Sequence, residues 1–271
     1  MNHERNKTDH TTSSSQSSSA GLPGPHHALT GTDWTALEHA YGPATDAPTQ
    51  LAALWDDNQS VRKEALDYLY GTLHHQNTLY SATVATALYV AATLADPRTT
   101  WSIAKDHHSF PGPMRAELLA WIASVAQEVT NEAESTSHQL GFPLDDYLPA
   151  VGIRAIRPLL FATAFDHTAD PDRHVREAAI TACIPLLDDP RLLHHRNSLV
   201  PLVRDTLGTS ELWQHRERAI DALDAWDEDS SGLEGQRNPF EFCDTETPPD
   251  NSSPWQADPS PMDRFTEKPP F

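Results

Sequence analysis

Asp170-Pro171-Asp172-Arg173-His174-Val175-Arg176-Glu177-Ala178-Ala179 decides the fold, because the chain carries nearly the same phrase elsewhere. Asp57-Asn58-Gln59-Ser60-Val61-Arg62-Lys63-Glu64-Ala65-Leu66 is the other clear copy, and His215-Arg216-Glu217-Arg218-Ala219-Ile220 is a worn third. Each joins a turn to a Val-Arg-like pair and an Ala-rich helical run. Internal similarity of this kind predicts a repeat architecture, in which one helical unit cannot bury its apolar face alone and must stack on its neighbours.

Helical periodicity extends outward from these copies. Val61, Ala65, Leu69 and Leu73 step by four, as do Met114, Leu118, Ile122 and the residues leading to Val129. Val84, Leu88, Ala91 and Leu94 form another stripe that ends at Asp96-Pro97, since proline prevents the helix from continuing. Residues 144–165 read as helical in spite of Pro149 and Pro158. Residues 172–187 form the second clear repeat helix, and residues 192–207 and 211–226 a last pair. The polar stretch 131–141 reads as a long loop or an insertion. No run alternates apolar and polar residues, so no sheet is expected. The expected fold is all-α: an α-solenoid of about four to five helix pairs over residues 29–226. It is flanked by a disordered Ser/Thr-rich tail (1–28) and a disordered acidic, Pro-rich tail (227–271).

Paired helices with Asp-Pro turns, a Val-Arg step, and prolines at Pro149, Pro158, Pro185 and Pro201 resemble HEAT repeats. Trp34-Thr35-Ala36-Leu37-Glu38-His39-Ala40-Tyr41-Gly42 and His74-His75-Gln76-Asn77-Thr78-Leu79-Tyr80-Ser81-Ala82-Thr83 are similar to the start of small bacterial HEAT-repeat proteins, themselves similar to the HEAT-like domain of phycobilisome lyases. The resemblance implies that Val61 and Val175 sit in the core. It also implies that Arg62 and Arg176 pair with acidic turns of neighbouring repeats, with Asp57 and Asp170 as the acids. It supplies no catalytic residues.

Charge narrows the function. Of the formal net charge of −20, residues 227–271 carry −8, residues 1–28 balance, and −12 falls on residues 29–226. A nucleic-acid binder neutralises phosphates with Lys and Arg; this balance argues against one and favours a basic protein partner. Two cysteines, Cys183 and Cys243, without metal-ligand spacing suit a reducing cytoplasm. Residues 1–20 are polar, and no signal peptide or membrane span is expected.

Histidine is frequent, at 15 copies, yet doublets such as His194-His195 point about 100° apart on a helix and make poor ligand pairs. No metal site or cofactor motif is expected. The best polar constellation is His75, Gln76, Thr78 and Tyr80, with Tyr41 and an exposed Trp101 as further binding candidates; imidazole, amide, hydroxyl and phenol together suit a peptide or polar ligand. These residues point first to a non-catalytic protein-binding scaffold, with an immunity- or antitoxin-like role toward a basic partner as one version. The alternatives are a lyase or isomerase using Tyr80, His75 and Tyr41 on a bound chromophore or cofactor, and a nucleic-acid binder with Arg154, Arg157, Arg173, Arg176, Arg204, Arg216 and Arg218 on one ridge.

Val175→Asp should unfold the C-terminal repeats, because an unpaired buried carboxylate costs several kcal/mol out of a total of about 5–15. Ser13→Asp should change nothing. Hydrogen exchange reads both; unchanged protection in Val175→Asp would remove Val175 from the buried face.

Overall fold

The computed structural model describes residues 21–103 and 112–233. Among the described residues the structure is 68% helical, with ten α-helices and almost no strand. In chain order the helices are α1 (Pro25–Thr30), α2 (Ala47–Ala52), α3 (Gln59–Tyr68), α4 (Ser81–Thr93), α5 (Met114–Gln127), α6 (Asn131–Gln139), α7 (Leu148–Phe165), α8 (Arg173–Leu186), α9 (Arg196–Leu202) and α10 (Trp213–Ala225). The only sheet among the described residues is a two-residue antiparallel pairing of β1 (Glu38–His39) with β2 (Gly42–Pro43), closed by Gly42 at φ +127°.

The repeated phrase builds the same corner three times. Arg62 donates to the carbonyls of Asp56 (2.7 Å) and Asp57 (3.0 Å), Arg176 to those of Asp170 (2.6 Å) and Pro171 (2.9 Å), and Arg216 to that of Ser210. In each copy the guanidinium reaches back six residues across the turn that precedes its helix. The residue it reaches also closes the turn with its side chain: Asp56, Asp170 and Ser210 accept from the N–H of Asn58, Asp172 and Leu212. Asn58 and Asp172 then cap α3 and α8 by accepting from Ser60 and His174.

This geometry corrects the expected pairing. The arginines hold backbone carbonyls of their own turns, not carboxylates of neighbouring repeats, and the structural counterpart of Asp170 is Asp56. Asp57 is exposed. The Asp170 carboxylate does meet an arginine of another helix, Arg115 of α5, at 3.0 Å. Val175 is buried, whereas Val61 is half-buried; α8 packs extensively on α5, and α3 has no comparably extensive helix contact among the described residues.

Among the described residues the longer helices pack in a few extensive pairs. α5 lies most extensively against α8, joined near their N-termini by Arg115–Asp170 and near their C-termini by the Asn131 N–H on Asp188 (2.7 Å); the two therefore run parallel. α4 lies against α7, and α7 against α8. Close approach of α7 to α4 requires Gly152, where an added Cβ would sit 2.9 Å from a methyl of Val84. A widened turn over Leu69–Leu73 extends α3 toward α5; the Leu69 carbonyl accepts from the Trp121 indole (3.1 Å), and Tyr70 donates to the Glu117 carbonyl (3.2 Å). By length and composition α7 could cross a membrane, but a third of it is buried among the helices, Arg157 included.

Two other expectations change. Residues 131–141 contain α6, a nine-residue helix with no buried residue; Thr130 caps it by accepting from Ala133, and Glu132 and Glu134 occupy its first turn. A helix that buries nothing leaves no apolar period to read. Pro149 lies in the first turn of α7, where its missing N–H costs nothing; Pro158, Pro185 and Pro201 are truly internal. The ordered region exceeds 29–226: α1 starts at Pro25 and buries Ala28, while Leu233 packs on the core. Most of both expected tails, with Cys243, lies outside the described residues.

Arg176→Ala should destabilise the chain by about 1–3 kcal/mol, since two turn carbonyls lose a charged donor, and Arg176→Lys should restore only part of it, lacking the planar fork. Urea denaturation of both variants checks this; equal midpoints for wild type and Arg176→Ala would show that the turn holds without its clamp.

Candidate partner-binding groove

Because α5 and α8 run parallel, residues at the same helical step face each other along their length. Ala116, Ala120 and Ala123 on α5 step by four and three, and His174, Ala178 and Thr181 on α8 take the same steps. These are small or polar where the opposite face of α5, with Met114, Leu118, Ile122 and Val125, is large and fully buried. The small side chains leave a cavity of about 310 Å³ between α5, α8 and α10.

That cavity shares lining residues with two others. Asn77 and Glu128 also line a cavity of about 740 Å³ bounded by residues 137–147. Gln127, Gln214 and Arg218 also line one of about 720 Å³ at the C-terminal ends of α5 and α8. The three adjoin along these shared residues and are described together as a groove. Its charged lining is mainly acidic: Glu128, Glu132, Asp146, Asp188, Glu217 and Asp221 against Arg196 and Arg218. Arg218 is engaged with the Gln127 side-chain oxygen (2.5 Å), and Arg196 lies over the Trp226 ring.

Polar atoms in the walls differ in how they are satisfied. Glu177, buried beneath α10, accepts from Arg173 (2.8 Å) and hydrogen-bonds His215 (3.1 Å). Burial alone would raise its carboxyl, but hydrogen bonds from His215, Arg173 and Ser210 hold it down to about 2. By contrast, the His174 Nδ1 and Thr181 Oγ1 atoms are buried without a hydrogen-bond partner. Burial raises the Glu128 carboxyl, with no opposing contact.

The sequence-derived binding residues are divided by the structure. Tyr41, 70% exposed, and His75 come together with ring centroids 5.6 Å apart, beside His39, which meets Asp46 at 3.0 Å. Gln76 is exposed and Tyr80 half-buried at the start of α4. Of the six candidates only Thr78 lines the groove, together with its neighbour Asn77. Gln76 and Asn77 both hold positive φ (49° and 59°), a strained pair that delivers Asn77 to the junction of two cavities. Trp101 is half-buried beneath the Arg62 guanidinium, 5.1 Å from the ring centroid, and not the exposed ring expected. Sequence reasoning missed Asn77, Glu128, His174 and Thr181; the shared four-and-three step of small residues was the available signal.

Cys183 is a free, fully buried thiol pushed up by burial. Among the described residues no group of three or more His, Cys, Asp or Glu could hold a metal ion. Six of the seven arginines considered for a nucleic-acid ridge are engaged within the chain: Arg154 with Glu134 and Asp145, Arg157 with the Val129 carbonyl, Arg173 with Glu177 and Glu211, Arg176 and Arg216 with their turns, and Arg218 with Gln127. Compared with known proteins, the chain matches no family model, no curated protein and no solved structure.

His74 supports the groove wall from behind. Its Nδ1 meets the Thr78 carbonyl (3.3 Å) and must carry the proton, leaving Nε2 to accept from Ser124 (3.1 Å). Burial pushes this imidazole below its ordinary value, more than the contacts to Thr78 and Ser124 raise it. The unfolded chain therefore takes up a proton that the folded chain refuses, so this contribution is complete above about pH 6.5 and is lost as pH falls below it. Denaturation midpoints at neutral and mildly acidic pH should fall further for wild type than for His74→Gln; equal losses would exclude His74 as a source of acid sensitivity.

Proposed function

We propose that the chain is a non-catalytic, HEAT-like α-solenoid that binds a basic segment of another protein in the groove between α5, α8 and α10. The observation that carries this reading is the groove's combination of a small-side-chain floor and an acidic lining. The solenoid reading is supported by the recurrence of the arginine-held corner at α3, α8 and α10 and by the parallel stacking of α5 on α8. In such an array the stacked second helices of each pair form an extended surface suited to a partner.

Electrostatics supports the choice of partner. Carboxylates outnumber arginines along the groove, and both arginines there already have contacts within the chain. A basic segment would be attracted over a distance of about 8–10 Å at ordinary ionic strength and more weakly in high salt. The engaged arginines weigh against a nucleic-acid ridge. Tyr41, His75 and Tyr80, the residues an enzymatic reading would need, lie outside the groove lining.

Ala120 is half-buried on the groove floor, so Ala120→Trp fills the groove without displacing the core; Ala155 on α7 is exposed and away from it. Capture from native lysate should return protein that is released by salt, absent with Ala120→Trp, and retained with Ala155→Trp. The same proteins on Ala120→Trp, or none on wild type, would overturn the proposal, with circular dichroism confirming that each variant is folded.

A further inference from the structure

We propose that Glu128 is a cation-anchoring site, which takes the charged head of one arginine or lysine from an extended segment lying along the groove. This rests on the groove being the partner surface and specifies how it reads that partner.

Glu128 is an exception among the less exposed carboxylates. Asp96 is held by Arg98, Asp170 by Arg115, Asp189 by Arg191, and Glu177 by Arg173 and His215. The half-buried Glu128 carboxylate has no ion pair or hydrogen bond among the described residues. Retaining an unpaired, partly desolvated carboxylate is unfavourable, and the raised pKa of the group reports that penalty. A cation delivered from outside removes it. Arg218, the arginine that lines the central cavity with Glu128, is committed to Gln127.

Position reinforces the assignment. Glu128 follows the last residue of α5 and lines both the central cavity and its 740 Å³ neighbour, so it is reached from either side. The C-terminal end of α5 carries the negative end of the helix dipole, and the parallel α8 ends nearby; both favour a cation. Acidic residues of the adjoining cavity, Asp188 and Asp221 among them, lie toward the same end.

The remaining lining selects an extended chain. From Ala116 to Gln127 the floor runs about 16 Å at 1.5 Å per residue, the length of about five extended residues. His174 Nδ1 and Thr181 Oγ1, both buried and unpartnered, lie along this run. An extended segment keeps free backbone N–H and C=O groups to offer the polar groups of the lining, whereas a helix has already used its own. The alanine floor accommodates the backbone, and the aliphatic stem of the arginine or lysine covers apolar surface on its way to Glu128.

Selection of a random peptide library on the full chain tests this. Wild type should enrich peptides with one fixed arginine or lysine, and Glu128→Gln should bind a fluorescent version about tenfold more weakly or worse. Replacing the peptide's cation with glutamine should weaken binding to wild type by a similar factor and have little further effect on Glu128→Gln, the signature of direct coupling. Glu128→Gln should melt no lower than wild type, which separates lost recognition from lost folding. Enriched peptides without a fixed cation, or independent effects in the double substitution, would overturn the anchor while leaving the groove as a binding surface. Failure to enrich any peptide would overturn both.

Discussion

The arginine that reaches back across its own turn is the interaction on which the rest of the fold depends. A chain that reverses direction between packed helices leaves carbonyls turned inward, away from water and with no helical partner. The Nη1 nitrogen of Arg62 and of Arg176 meets that need by donating to two successive carbonyls, and that of Arg216 by donating to one. It acts from the second turn of the helix it introduces, so it also sets the angle at which α3, α8 and α10 leave their corners.

The stacking of these units is held by contacts that cross between them. Arg173 of α8 reaches Glu211 and the Thr209 carbonyl in the turn before α10, and Glu177 meets His215 beneath it. Arg62 likewise reaches the Ser102 carbonyl, forty residues away, while covering Trp101. Two further turns share a second device: Asp96 and Asp189 each precede a proline and grip the arginine two residues on through both backbone and side chain. Most of the cationic side chains are thereby spent on holding backbone and carboxylates in place.

That internal use of arginine has a functional consequence. With its cations engaged, the chain presents an acidic groove whose floor is made of alanine, serine and threonine. Small side chains at facing helical steps give the cavity depth without opening the core, since the large residues of α5 point the other way. The small face of α5 thus both packs against α8 and lines the cavity, while its large residues fill the core on the other side.

The all-helical character, the repeat and the capping turns were legible in the sequence because they arise from local patterns: four-residue apolar steps, Asp-Pro stops and the Val-Arg phrase. Val175 could be assigned to the core for the same reason. α6 escaped detection because it buries nothing and so has no apolar period, whereas the Asp56–Asp170 equivalence was present in the spacing, six residues before Arg62 and Arg176, although the phrase that begins at Asp57 passes it over. Tertiary structure alone decided which atoms each arginine meets, that Val61 stays half-buried, that Trp101 lies under Arg62, and that Asn77, Glu128, His174 and Thr181 share one groove. The physical reason is that a periodic pattern specifies which face of a helix is apolar, whereas a cavity forms from what two or three helices leave unfilled when they pack. That depends on their relative direction and distance, which no single segment encodes.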